Sequence, residues 1–311
     1  MRTVFWKELA DYFGSWRFII ILAIICLAAL SATYTAAQTI VENVTETPTE
    51  FVFLRLFTTS GNTLPSFTFF LSFFGPLIGI IFGFDAINSE RSRGTLSLVL
   101  SQPLFRDSLI NGKFLAGLTT IAITLASIIL MVSGLGFRMI GVMPVPGEVA
   151  RIVVFFLISL LYVGFWLGLG ILFSVIFNRA ITSVLATISV WIFFALFISM
   201  IAGVIATWVA PVDQESDVTA IIENQRVQTA FMRVSPTTLF EEATRTVLNP
   251  GTRTLRGIVL ESEVRGMIAG PLSLGQSLIL VWPHLVSLLT LTIICFAISY
   301  IKFLREEIRS T

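Results

Sequence analysis

Residues 66–113 read SFTFFLSFFGPLIGIIFGFDAINSERSRGTLSLVLSQPLFRDSLINGK: nineteen residues without Asp, Glu, Lys or Arg, then twenty-nine that hold seven of them. A membrane-crossing helix takes roughly 20 predominantly apolar residues. An ionisable side chain at its centre costs roughly 2.5–3.5 kcal/mol. The first part therefore crosses a bilayer, and the second, Asp85 to Lys113, leaves it. Working outward, residues 18–38, 114–135, 152–177, 181–210 and 277–301 are likewise free of Asp, Glu, Lys and Arg, which makes six spans. The whole chain, 311 residues with 55% hydrophobic and 13% charged, is too apolar for a single water-soluble core. The expected fold is an all-α polytopic membrane protein.

Basic residues in short loops orient such a chain. With the N-terminus inside, the inner segments carry Arg2, Lys7, Arg17, Arg91, Arg93, Arg106, Lys113, Arg179, Lys302, Arg305 and Arg309; the short outer segments carry only Arg55, Arg138 and Arg151. Both termini are thus expected to be cytoplasmic. Arg2, Lys7 and Arg17 also precede the first span as in a secretory signal, but the apolar run is longer than a signal core and Glu8 and Asp11 interrupt the basic leader. The expected division is an N-terminal interfacial helix (1–17), spans 1–5 with the inner loop 85–113 (18–210), an outer connection (211–276), span 6 (277–301) and a cytoplasmic tail (302–311).

Three segments outside the spans carry shape. Phe5, Leu9, Tyr12, Phe13 and Trp16 recur at helical spacing, with Lys7, Glu8 and Asp11 largely elsewhere, as in a helix lying in the inner interface. In the inner loop Asp85 to Arg93 has helical character, Gly94 permits a break, Leu96, Leu98, Val99 and Leu100 form an apolar ridge, and Pro103 ends it. Two short helices with a ridge between charged ends suit insertion in a partner's groove. In the outer connection Val218, Ile221, Ile222 and Gln225 predict one helix. Ser235 and Pro236 open a second, which Asn249, Pro250 and Gly251 end after Leu248. A folded outer cap is expected there.

Within the spans, Gly164 and Gly168 have the GxxxG spacing of close helix packing, in the chain or across a dimer. Thr182, Ser183, Thr187 and Ser189 line one seam of span 5 or bond their own backbone. His284 beside Pro283 reads as a hydrogen-bonding residue at a kink rather than a proton relay. Cys26 and Cys295 sit in apolar runs and read as packing residues. Ion-coupled transport requires ionisable groups in the bundle, and the spans offer only His284. No HExxH zinc pair, intramembrane aspartate pair or serine with a plausible base suggests an enzyme. The net charge of +1 gives no case for nucleic acid.

Asp85, Glu90, Gly94, Thr95, Leu96, Ser101, Gln102, Pro103, Arg106, Gly112 and Lys113, with Lys7, Glu8 and Leu9 near the N-terminus, Ser235 and Pro236 before the outer helix, and Phe303 to Arg309 (FLREEIR), resemble ABC-2 type ABC transporter permeases. The branch containing the permease of the nitrous-oxide-reductase copper-maturation system is the most similar. The resemblance implies a transmembrane permease subunit of a multi-pass prokaryotic cell-membrane exporter, with a second permease chain alongside and a separate ATPase subunit docking on the inner face. It carries docking roles onto Glu90, Arg91, Arg93, Gly94, Thr95, Pro103 and Arg106, and onto the N-terminal helix with Phe5, Trp6, Lys7, Glu8 and Leu9. ATP and its magnesium belong on that partner. A P-loop needs glycines framing four residues before Lys and Ser or Thr, whereas here Asp107 takes the first glycine's place and Phe114 follows Lys113. No cofactor is expected on this chain. The alternative is an ATP-driven mechanical transmitter that acts, through residues 211–276, on an extracytoplasmic partner without carrying cargo.

Overall fold

The computed structural model describes residues 1–43, 51–61, 64–92, 94, 106–212, 218–251 and 271–305. Every regular element among them is helical. In chain order they are α1 (Arg2–Phe13), α2 (Trp16–Asn43), α3 (Val52–Thr58), α4 (Phe67–Gly83), α5 (Asn88–Ser92), α6 (Arg106–Ile140), α7 (Pro146–Ile176), α8 (Ala180–Ile192), a π-turn (Phe193–Phe197) running into α9 (Ile198–Val209), α10 (Val218–Met232), α11 (Pro236–Leu248) and α12 (Leu274–Arg305). Among the described residues six helical stretches are long and apolar enough to cross a membrane: Trp16–Glu42, Phe67–Ser92, Arg106–Ile140, Pro146–Ile176, Ala180–Val209 and Leu274–Arg305. An even number of crossings returns the chain to the side it started from, called here the terminal face.

Spans 2, 3, 4 and 6 run beyond the charge-free stretches, because the helical chain continues into their charged ends. Arg151, read from sequence as an outer-loop arginine, is instead on the second turn of α7 and only 2% exposed. Pro146 at the first helical position pre-sets φ, and Glu148 reaches back to accept from Val145 N at 3.0 Å, so the helix starts early.

Spans 2 and 4 form the centre of the bundle. Gly75, Gly79 and Gly83 recur every four residues on α4 and let it lie directly on α7. A Cβ on Gly79 would stand 2.5 Å from the Val163 carbonyl oxygen, and one on Gly83 would stand 2.6 Å from that of Leu167. Gly164 and Gly168 pack within the chain: Gly164 against Leu118 of span 3, and Gly168 against Thr292 and Cys295 of span 6. Tyr162, Trp166 and Phe155 are fully buried along the same helix. Span 5 is the opposite case, with Ile181, Leu185, Met200 and Val204 all more than half exposed. Two of its small polar residues follow the backbone reading, Thr187 donating to Ser183 O and Ser189 to Leu185 O, each at 2.8 Å, whereas the buried Ser183 hydroxyl has no hydrogen-bond partner among the described residues.

The segment 218–251 forms the two predicted helices; the second is buried against the bundle, while the first packs along span 5 with no buried residue. Ser235, at the turn between α10 and α11, donates to Phe194 O in the π-turn. Phe194 is fifteenth in a span of thirty residues, so at 1.5 Å per residue the turn reaches roughly 20 Å along span 5. From there α10 runs back along α9, with Asn224 Nδ2 donating to Ala210 O at 2.7 Å. α11 buries Leu239, Phe240, Ala243 and Val247 among spans 2, 4 and 6. This is a re-entrant hairpin. Irregular backbone at such depth persists only where protein covers it.

Candidate functional site

Two polar clusters lie at opposite ends of the spans 2 and 4 pair. On the terminal face, Gly14 and Ser15 end α1, and the Ser15 hydroxyl donates to Tyr12 O at 2.8 Å and accepts from Phe18 N at 3.3 Å. The helix so detached packs on the base of span 3, where a Cβ on Gly112 would come within 2.9 Å of Val4. This contact brings Glu8 to Lys113 at 2.8 Å, and Lys113 meets Glu90 of α5 at 2.9 Å. All three residues are under 9% exposed. A buried ammonium needs paired oxygens to offset its lost hydration, and here two carboxylates from two other elements supply them. One side chain therefore joins α1, α5 and span 3.

Around this triad the inner loop's first turn is fixed to the bundle. Arg17 pairs with Asp85, and the Tyr12 hydroxyl donates to Phe82 O at 3.1 Å. The Tyr12 phenol is held well above its ordinary range by burial first, then by the nearby carboxylates, and stays a neutral donor. Ser174 Oγ, on span 4, accepts from Ile87 N at 3.0 Å and Asn88 N at 3.2 Å. Arg91 donates to Asn178 Oδ1 at 2.8 Å, beyond the end of span 4.

Of the residues expected to dock a partner, Glu90 thus faces Lys113 inside the chain, and Arg91 reaches the connection between spans 4 and 5. Gly94 is exposed with φ +67°, a left-handed conformation that glycine takes freely. Arg106 opens α6 half-buried. Arg93, Thr95 and Pro103 lie outside the described residues, as does the ridge from Leu96 to Leu100. On α1, Glu8 is buried, Phe5 and Leu9 are half-buried, and Trp6 and Lys7 are exposed, Trp6 meeting Phe5 edge to face.

The second cluster is carried by the hairpin. Pro76 has no N–H for the carbonyl of Ser72, four residues earlier. The Tyr162 hydroxyl takes that place, donating to Ser72 O at 2.7 Å, and lies 3.2 Å from Thr237 Oγ1. The Tyr162 ring stacks on Phe240 of α11 with centroids 4.4 Å apart. Ser72 Oγ donates to Glu241 Oε1 at 2.7 Å. Next to it, Glu242 Oε2 meets His284 Nε2 at 2.6 Å and accepts from Arg233 Nε at 2.8 Å. Burial alone would raise the Glu242 carboxyl, but the hydrogen bonds from His284 and Arg233 outweigh it and hold the group below the ordinary carboxylate range. Arg151 clasps the far end of the hairpin, donating to Val247 O at 2.8 Å, Ser277 Oγ at 3.1 Å and Leu272 O. Glu148 Oε1 accepts from Phe53 N at 3.0 Å and so holds the start of α3.

Sequence reasoning missed this second cluster, because the charge-free spans hide carboxylates that a loop carries inward. The amphipathic pattern of α11, with Leu239, Phe240, Ala243 and Val247 on one side and Glu241 and Glu242 beside them, was the available signal. Among the described residues no group of three or more His, Cys, Asp or Glu is placed to hold a metal ion.

Six apolar helices, a detached terminal helix locked to the end of span 2, and a hairpin between spans 5 and 6 make this a multi-pass membrane protein. The chain belongs to a known family of membrane permease subunits: the family described as ABC-2 family transporter protein matches residues 2–308. It is also similar to the probable ABC transporter permease protein NosY of Pseudomonas aeruginosa, at 44% identity over 59 residues, 19% of this chain and 22% of the relative. The matched stretch spans about a fifth of that relative's length.

Proposed function

We propose that this chain is the membrane subunit of an ATP-driven exporter in a prokaryotic cell membrane, paired with a second permease chain and driven by a separate ATPase that docks on the terminal face, which is cytoplasmic. The observation that carries this reading is the Glu8–Lys113–Glu90 triad. It makes α1 and the start of the 85–113 loop one body with the base of span 3, so that a push on the loop reaches the bundle instead of being absorbed by a hinge. From Ser174 the displacement passes along span 4 to Tyr162 and Arg151, both of which hold the hairpin. A stroke at one face thereby shifts Glu241, Glu242 and His284 near the other.

The test is ATP hydrolysis by the co-purified complex in nanodiscs. Lys113→Met is expected to uncouple hydrolysis from the permease, and the charge-free set Glu8→Gln, Lys113→Met, Glu90→Gln to restore part of it. Unchanged coupling in the single variant removes the triad from the transmission path. Transmission to an outside protein without cargo is a second reading, supported by the bonds that tie α11 to spans 2, 4 and 6. Deleting residues 252–270 separates the two: loss of binding to an outside protein, in a complex that hydrolyses ATP and transports nothing with or without the segment, favours transmission, whereas loss of transport favours the exporter.

A further inference from the structure

We infer that the groove between the terminal-face ends of spans 4 and 6 binds one anionic phospholipid from the adjoining leaflet. The two helices run in the same direction and touch at Gly168, where a Cβ would lie 3.7 Å from Thr292 O and 3.8 Å from Cys295 Cβ. Phe114 and Phe296 close the neighbouring seam with ring centroids 4.4 Å apart. Two turns further on the helices part, and a space of about 520 Å³ opens, lined by Val175, Ile176, Ile298, Ile301, Lys302 and Arg305.

The arrangement is graded as a lipid is. Its deeper wall is aliphatic and unbranched by any polar side chain, which suits an acyl chain. Ile298 and Ile301 are about half exposed, 48% and 50%, so the space opens sideways toward the bilayer rather than into the bundle. At its mouth stand Lys302 and Arg305, both exposed on the last turn of span 6, and among the described residues no carboxylate lines it. Arginine offers a planar fork that matches phosphate oxygens, and lysine a mobile point charge. Basic pockets between membrane helices at this depth select anionic headgroups. A zwitterionic lipid brings the same phosphate with a cation that the two side chains repel. The inference rests on the terminal face lying at a membrane boundary and not on ATPase docking, so the two stand or fall separately.

The experiment places the full chain in nanodiscs of equal phosphatidylcholine and phosphatidylglycerol, releases it gently, and counts retained lipids by native mass spectrometry. One phosphatidylglycerol per chain is expected to be retained in preference to phosphatidylcholine. With each basic residue near the surface contributing the equivalent of several-fold, Lys302→Gln with Arg305→Gln is expected to lower that preference roughly 30-fold. Ile298→Trp, which fills the groove and leaves both charges, is expected to abolish retention of either lipid. Arg226→Gln, a distant exposed site, should leave retention as it was. The inference is overturned if the double variant keeps its phosphatidylglycerol, if Ile298→Trp retains the preference, if soluble glycerol phosphate displaces the adduct, or if the adduct vanishes whenever a second chain is bound.

Discussion

Replacing Lys113 by Met is the sharpest perturbation available, because it removes a single charge and leaves two buried carboxylates facing one another. Its Nζ lies 2.8 Å from Glu8 and 2.9 Å from Glu90, and the lysine is 3% exposed. Removing one partner of a buried ion pair costs roughly 3–5 kcal/mol, whereas replacing the whole charged group by apolar or neutral side chains is often near neutral. The single variant is therefore expected to lose at least ~3 kcal/mol. The triple variant Glu8→Gln, Lys113→Met, Glu90→Gln should recover most of that. For domains of 150–250 residues 1 kcal/mol corresponds to about 2–4 °C in Tm, so the single variant should unfold roughly 6–12 °C earlier in a thermal scan in nanodiscs. A loss below ~1 kcal/mol, or a triple variant no better than the single one, would refute the idea that the three side chains form one buried unit.

Gly79→Ala places a Cβ 2.5 Å from the Val163 carbonyl, a backbone atom that cannot step aside; overpacking of this kind costs roughly 1–3 kcal/mol or more, visible as an early-melting or aggregated peak, while Gly134→Ala, with nothing within 4 Å, should be tolerated. Arg151→Met leaves acceptors at Val247, Leu272 and Ser277 without their donor, at roughly 1–3 kcal/mol for each unsatisfied buried group, and Arg151→Lys should recover little because an ammonium lacks the fork. For Glu242, whose carboxyl is held low, the sign is fixed: its stabilisation is fully present above the unfolded-state value and fades as pH falls through the lowered folded-state value. Acid unfolding followed by intrinsic fluorescence should therefore lose part of its steepness in Glu242→Gln, and an unchanged acid limb would count against the Arg233–Glu242–His284 contact.

Membership of the membrane class was legible from residues 66–84 alone, and all six spans follow from runs free of charge. The ends of the spans were not, because a helix continues past its apolar length wherever the protein satisfies its charges, as it does for Arg151 and Glu148. The detached first helix was readable from Gly14, Ser15 and the aromatic spacing. The partner of Glu8 was not, since it stands 105 residues away at Lys113. Gly75, Gly79 and Gly83 carried a clear signal of close packing in span 2, stronger than the Gly164 and Gly168 pair first singled out. The inward course of residues 218–251 was hidden for a different reason. The sequence between two spans shows which helices form and not on which side of the membrane surface they come to rest; only bonds such as Ser235 to Phe194 and Glu241 to Ser72 settle their depth.

The proposed coupling requires an ATPase to meet the terminal face at α1 and the end of span 2. Site-specific photo-crosslinking tests this most directly, with a benzophenone residue placed in turn at Trp6, which is 58% exposed on α1, at exposed Ser92, the last residue of span 2, and at Trp208, which is 85% exposed near the other end of span 5. Crosslinks to the ATPase from Trp6 and Ser92, with none from Trp208, are the predicted result. Crosslinks from Trp208 alone, or from none of the three in a complex that still hydrolyses ATP, would contradict it.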